Sequence, residues 1–186
     1  MGRPALQLRT AVAVLTLVFV AGTAPAGATA APRTVPLTTT TFLTRSPTVN
    51  MANPVAVGAA TVRAFYGYNT LTDTSTWDAV LRSTAYYTPA YAALTRSVHP
   101  QKTNDPQWDA WAAHHAVIAV QAKRVYDGTP PPNTPTRTYL EFEAALTPHG
   151  SHHWTDRKLV YFVWMSLVRA NRAKGTPWLV ARMETQ

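Results

Sequence analysis

Helical periodicity marks the middle of the chain. Residues 53–68 repeat apolar positions at three- and four-residue steps, after an asparagine that suits a helix N-cap and a proline that suits the first helical position. A capping box at 75–78 predicts a second helix, and Thr-Pro at 88–89 predicts the start of a third. Asp-Pro at 105–106 indicates one further helical turn. The first half of the domain is therefore predicted to be helical.

After about residue 115 the apolar positions alternate instead, which is typical of β-strands. The alternating segments are Ala116–Tyr126, Tyr139–Leu146, Leu159–Val168 and Trp178–Met183. Helices followed by antiparallel strands joined by hairpins define an α+β fold. We therefore predict N-terminal helices packed on a curved antiparallel sheet of about four strands.

The same alternation predicts which side chains face the helices. In the second strand, Leu140 and Phe142 share one phase, while Glu141 and Glu143 share the other, which we interpret as a solvated outer face. Leu159–Val168 is apolar in both phases, which predicts a central strand. We expect its inward side chains to be Val160, Phe162 and Trp164.

The N-terminus has the pattern of an export signal. Two arginines precede a short apolar run, AVAVLTLVFVA, and Ala28-Thr29-Ala30 fits a small-x-small cleavage site. The apolar run is shorter than the roughly 20 residues that span a bilayer, although an uncleaved anchor is the competing interpretation. We predict a signal peptide at 1–30, a disordered Thr/Pro linker at 31–52, a single α+β domain at 53–186, and no stable membrane span in the mature form.

Composition narrows the chemistry. The chain of 186 residues contains no cysteine, which excludes disulfides, thiolate metal sites and cysteine nucleophiles. With 46% hydrophobic residues it has the material for a packed core. Its formal charge of +8 favours anionic partners, such as phospholipid, an anionic cell-wall polymer or nucleic acid.

No catalytic motif is evident. Three histidines, His149, His152 and His153, cluster in a predicted hairpin loop, but adjacent residues on an extended chain point apart, so a polar turn is the default interpretation. Glu141 and Glu143 lie roughly 7 Å apart along one strand, a spacing that glycosidase carboxylates can have, but they occupy its polar phase. We predict no catalytic residues, no metal site and no cofactor.

Basic residues gather at the predicted ends of the Leu159–Val168 strand, with two tryptophans close by in sequence. Cations beside aromatic rings can hold single-stranded nucleic acid, and basic residues alone can bind anionic polymer or lipid, although solvated hairpin flanks are the common alternative. The candidate binding residues are Arg157, Lys158, Arg169, Arg172, Lys174, Trp154 and Trp178.

Four short segments carry a resemblance to a known superfamily. They are Val62-Arg63-Ala64-Phe65, Trp77-x-x-x-Leu81, Tyr87-Thr88-Pro89 and Trp178-Leu179-Val180 after Gly175. With them, residues 54–185 resemble the cystatin-like cone of the nuclear transport factor two-like superfamily, in which a curved sheet wraps a long N-terminal helix. They are most similar to exported domains of actinobacterial conjugation, type IV secretion assembly and mammalian-cell-entry-associated proteins. The chain departs from these in having a segment that looks cleavable rather than a retained anchor.

The resemblance implies a secreted or extracytoplasmic, envelope-associated domain that binds proteins without catalysing a reaction. Envelope proteins are the expected partners, with self-association as a further expectation. The alternative is a small-molecule-binding or enzymatic domain with a pocket between helix and sheet. An open cavity there with a convergent carboxylate or histidine would favour that alternative.

Overall fold

The computed structural model describes residues 48–98, 105–126 and 130–186. The predicted signal peptide and most of the predicted linker lie outside the described residues. The last linker residues, 48–52, contact the domain, because the Trp178 backbone N–H donates to the Met51 carbonyl oxygen at 2.8 Å.

Helices come first, as predicted, and their start signals act as expected. The Asn53 side chain accepts hydrogen bonds from the Val55 and Ala56 backbone N–H groups. Ser75 and Asp78 form both halves of the capping box. The segment expected as a single turn is a full helix. The α-helices of the described residues are α1 (Pro54–Tyr66), α2 (Thr76–Ser83), α3 (Pro89–Ser97) and α4 (Pro106–Ala113).

The strands form one antiparallel sheet in which each is hydrogen-bonded to the next along the chain. The α+β class and the four-stranded antiparallel sheet are confirmed. The third strand has the predicted bounds, whereas the second extends further at both ends. The strands are β1 (Val117–Val125), β2 (Arg137–His149), β3 (Leu159–Val168) and β4 (Leu179–Thr185).

The main core lies between α1 and the sheet. Helix α1 contacts all four strands. Gly58 allows close approach, since a Cβ atom there would lie 2.6 Å from Cε2 of Phe142 and 3.1 Å from Sδ of Met165. Fully buried side chains on both sides, including Val57, Val62, Phe142, Val163 and Leu167, fill this interior.

The predicted phase of β3 is wrong. Val163, Met165 and Leu167 face the core, while Val160 and Phe162 are exposed and Trp164 shares their phase. Pairing with β2 decides the phase, because Phe142 lies opposite Val163 and Leu140 opposite Met165, and opposed residues share a face of the sheet. A strand that is apolar in both phases leaves this choice to its neighbour.

No helix in the described ranges is long and apolar enough to span a membrane.

Candidate functional site

The predicted basic residues divide between two ends of one strand. Arg157 and Lys158 immediately precede β3 and are exposed, whereas Arg169, Arg172 and Lys174 follow its last residue. Ten residues of strand separate the groups, or roughly 30 Å at the usual rise. They therefore form two distinct surfaces rather than one patch.

The side chain of Arg169 makes two contacts within the domain. Its Nε donates to the Pro135 carbonyl oxygen at 2.7 Å, and its guanidinium lies 4.9 Å from the centre of the Trp178 ring. Trp178 itself is buried in the core. The Trp178 ring therefore offers no open stacking surface in this arrangement, while Arg172 and Lys174, a few residues before it in the chain, are exposed.

Trp154 is also occupied by a neighbour within the chain. Its ring stacks on His114, with the centroids 4.3 Å apart and the planes tilted by 10°. Nearby, the Trp111 indole N–H and the Arg157 backbone N–H both donate to Asp156. The hydrogen bond from Arg157, followed by that from Trp111, lowers the pKa of Asp156.

Turn geometry accounts for the histidine cluster. His152 and His153 have positive φ angles of 55° and 61°, in the short 3₁₀ turn Ser151–His153 that joins β2 to β3. Within the described residues, no group of three or more histidine, aspartate or glutamate side chains is arranged to hold a metal ion.

The candidate site that the structure draws attention to is the sheet face opposite α1. This outer face carries the outward phase of each strand, and its exposed apolar side chains among the described residues include Val117, Val160 and Phe162. Val160 is 47% and Phe162 40% exposed. Exposed apolar side chains grouped on one face commonly mark an interaction site.

A cleft of about 540 Å³ lies at one end of this face, and the ring of Trp164 in its lining lies 6.3 Å from the Phe162 ring. Most of its lining comes from the outward phase of β2, β3 and β4, with Leu140 and Met165 of the inward phase, and the end of β1 and the loop after it supply Arg124, Val125, Pro130 and Pro131. None of the described helices contributes a residue to it. The side chains that dominate its chemistry are Arg124, Tyr126, Tyr139, Glu141, Trp164, Arg182 and Glu184.

The charges around this cleft are balanced. Arg182 and Glu184 form an ion pair on its exposed side. Glu141 is 7% exposed, so the expectation that it lies on a solvated face is wrong, although its phase on the outer face is as predicted. The Arg124 guanidinium lies 4.5 Å from the centre of the exposed Tyr126 ring. Aromatic and paired charged groups suit binding; they do not form a nucleophile-and-base arrangement.

The sequence-based prediction missed this cleft because it draws on four separate segments. Trp164 and Glu141 were both singled out, but on the assumption that one faces inward and the other faces bulk water. An apolar strand of ambiguous phase next to an alternating one was the available signal. This pattern could have identified the outer face of the sheet if the register of β3 on β2 had been known.

Comparison with known proteins adds no further identification. No protein-family model matches the chain, and no match is found among curated proteins or solved structures.

Proposed function

We propose that this chain is an exported, non-catalytic domain that binds other proteins at the bacterial cell envelope, as an accessory of a conjugation-type secretion apparatus. The observation that carries the proposal is the outer sheet face, where Val160 and Phe162 stand exposed and the Phe162 ring lies 6.3 Å from Trp164 in the lining of a 540 Å³ cleft. A sheet normally covers such side chains against another layer. A partner protein would supply that layer here.

The pattern of burial supports this assignment. The opposite side of the same sheet is filled by α1 and by side chains such as Phe142 and Met165. The domain therefore does not need the outer face for its own core. The N-terminal export pattern and the resemblance to exported envelope domains supply the cellular setting.

The finer fold assignment belongs to the same proposal. We infer that the sheet curves around α1 as in the nuclear transport factor two-like cone. Support comes from the contacts of α1 with all four strands and from the bulge between β3 and β4 near Ser166, since bulges bend sheets. A crystal structure in which the sheet is flat would contradict it.

Binding of a small molecule is the second candidate, and a specific observation favours it. Tyr126, Tyr139 and Trp164 line the cleft, together with charged groups at its rim. Aromatic walls with few polar groups are common in ligand pockets. The site for this alternative is the outer face, rather than the expected space between helix and sheet.

Site-specific crosslinking in the native host tests the leading proposal. A photoreactive phenylalanine analogue replaces Phe162, and the matched control places it at Leu71, which is also exposed but lies in the loop between α1 and α2. We expect discrete protein adducts in the envelope fraction from position 162 only. Equal labelling from both positions, or none from 162, would contradict the proposal.

Anionic polymer or lipid remains a proposed partner of the exposed basic residues. The pair Arg172→Glu and Lys174→Glu should lower retention on anionic liposomes and cell-wall polymer at low salt, because screening weakens exposed charges. Salt-insensitive retention that is equal for both proteins would leave the apolar face as the interface.

A further inference from the structure

The two edge strands of the sheet, β4 and β1, differ in how their outward backbone groups are hydrogen-bonded. At the β4 edge, the Thr88 N–H donates to the Val180 carbonyl oxygen at 2.8 Å. Further along, the Tyr91 hydroxyl donates to the Met183 carbonyl oxygen and accepts from the Met183 N–H, both at 3.3 Å. The outward backbone groups of β4 are thus partly satisfied by the helical layer.

Within the ranges that the structure describes, only the start of the β1 edge is covered. The Ile118 N–H donates to the Tyr68 carbonyl oxygen at 2.9 Å, away from β2. Because strand residues alternate in the direction of their backbone groups, Val120, Ala122 and Arg124 must point the same way as Ile118. Among the described residues, the outward N–H and carbonyl groups of Val120, Ala122 and Arg124 have no hydrogen-bond partner.

This edge lacks most of the features that prevent strands from pairing. The register of β1 on β2 is unbroken from Val117 to Val125, and the segment contains no proline and no bulge. Natural edges are usually shortened, bulged or protected by charges. The single device here is positive charge, at Lys123 and Arg124.

The positive charge of β1 also indicates which kind of strand can pair with its edge. No acidic residue occurs in β1, and Lys123 projects from the outer face, where its cross-strand neighbour is Glu143. No ion pair joins Lys123 to Glu143 among the described residues. Two β1 edges brought together would crowd four cations, whereas an acidic strand would meet them with opposite charge. The exposed Tyr126 at the end of β1 adds an aromatic contact.

We propose that the open edge of β1 binds an extended, acidic segment of a partner protein, which adds as a fifth strand to the sheet. Backbone groups of Val120, Ala122 and Arg124 supply the hydrogen bonds, and Lys123 on the outer face selects acidic side chains. This inference rests on the proposed function in that the partner is a protein, and it names the chemistry of that partner.

The test uses the full chain and an acetylated peptide of alternating valine and glutamate. Amide exchange should slow by about tenfold or more at Val120, Ala122 and Arg124 when the peptide binds. Amides of Gln121 and Lys123, which already bond to β2, are the internal control. A peptide with lysine in place of glutamate should give no protection.

Two further variants separate strand addition from general attraction. The peptide is N-methylated at one alternate set of residues or at the other, and only the set that faces β1 should abolish binding. Lys123→Glu should weaken binding of the acidic peptide about tenfold at low salt, while the matched control Arg63→Glu, a charge reversal at an exposed position of α1, should leave it unchanged. Neither change touches a core residue.

Several outcomes would overturn the inference. They are equal binding of both N-methylated peptides, protection spread over the sheet face, and a dimer formed through β1 that excludes the peptide. Loss of partner crosslinks from position 162 would refute the proposed function without affecting peptide binding. Intact crosslinks from position 162 in the unaltered chain, together with no peptide protection at Val120, Ala122 and Arg124 of that chain, would refute strand addition at β1 alone.

Discussion

The two faces of the sheet carry similar side chains in different surroundings. Phe142 on the inner face is 1% exposed and packs against α1, whereas Phe162 on the outer face is 40% exposed. The two rings belong to neighbouring strands, both apolar enough to enter a core. The difference teaches that hydrophobicity alone does not assign a residue to folding or to binding; the layer that covers it does.

The largest expected effect comes from truncating one phenylalanine on each face. Phe142→Ala should lower the free energy of unfolding by about 3–5 kcal/mol, because it removes a fully enclosed ring and leaves a cavity. Phe162→Ala should change it by less than about 1 kcal/mol, as expected for an exposed site. Urea titration monitored by tryptophan fluorescence would measure both. Similar losses from both variants would mean that the outer face is also core.

Gly58→Ala probes the inner face from the helix side. In an exposed helix this change would stabilise by up to about 1 kcal/mol. Here the new methyl group would meet the Phe142 ring at 2.6 Å, so we expect destabilisation by about 1–3 kcal/mol.

The control for Gly58→Ala is the same change made together with Phe142→Leu. The smaller side chain should relieve part of the cost, which a double-mutant cycle would reveal. Strictly additive effects would contradict the close contact between the two sites.

Tyrosines between the helices and the sheet should make the inner side sensitive to alkaline pH. Burial above all raises the pKa of Tyr66 and of Tyr87 to about 12, from an ordinary value of 10.0. The unfolded chain therefore releases these protons first, so stability is full below about pH 10 and falls as the pH rises towards 12. A tenfold difference in proton affinity between the folded and unfolded chain corresponds to about 1.4 kcal/mol.

Thermal unfolding between pH 8 and 11 would measure this dependence. Replacing both tyrosines with phenylalanine should flatten the alkaline decline, whatever its effect on stability at pH 8. An unchanged decline in the double variant would assign the effect to other groups.

The smallest effect on stability is expected at β4, the edge strand whose backbone bonds to Tyr91. Tyr91→Phe removes the hydroxyl that bonds to both backbone groups of Met183 and should cost about 1 kcal/mol. It should also speed amide exchange at Met183. Thr95→Ser, in the same helix, keeps the hydroxyl that donates to the Tyr91 carbonyl oxygen and is the matched control. No change in exchange at Met183 would show that the hydroxyl does not protect this edge.

Much of the fold could be predicted because its signals are local. Asn53, Ser75 and Asp78 satisfy backbone groups within a few residues of themselves, so their caps can be recognised without knowledge of the rest of the chain. The alternation in β2 likewise separated Leu140 and Phe142 from Glu141 and Glu143, as observed.

The candidate site could not be predicted in the same way. Its residues come from distant segments, and Trp164 and Glu141 become neighbours only through the pairing of β3 with β2. The basic residues were placed correctly at the two ends of β3, but the contact between Arg169 and Trp178 depends on the turn that folds between them. The partner role of these residues stays a prediction.

By itself, the sequence determined the order of helices and strands, their caps and the absence of disulfides, since these depend on short-range chemistry and composition. Only the tertiary structure decided which face of β3 is buried and which edge of the sheet is left open. The physical reason is that an apolar strand can be buried on either face at similar cost, so its partner strand and the packed helix settle the choice. The same holds for the two edges of the sheet. The Tyr91 hydroxyl bonds to the Met183 backbone, but no described group bonds to the outward backbone groups of Ala122.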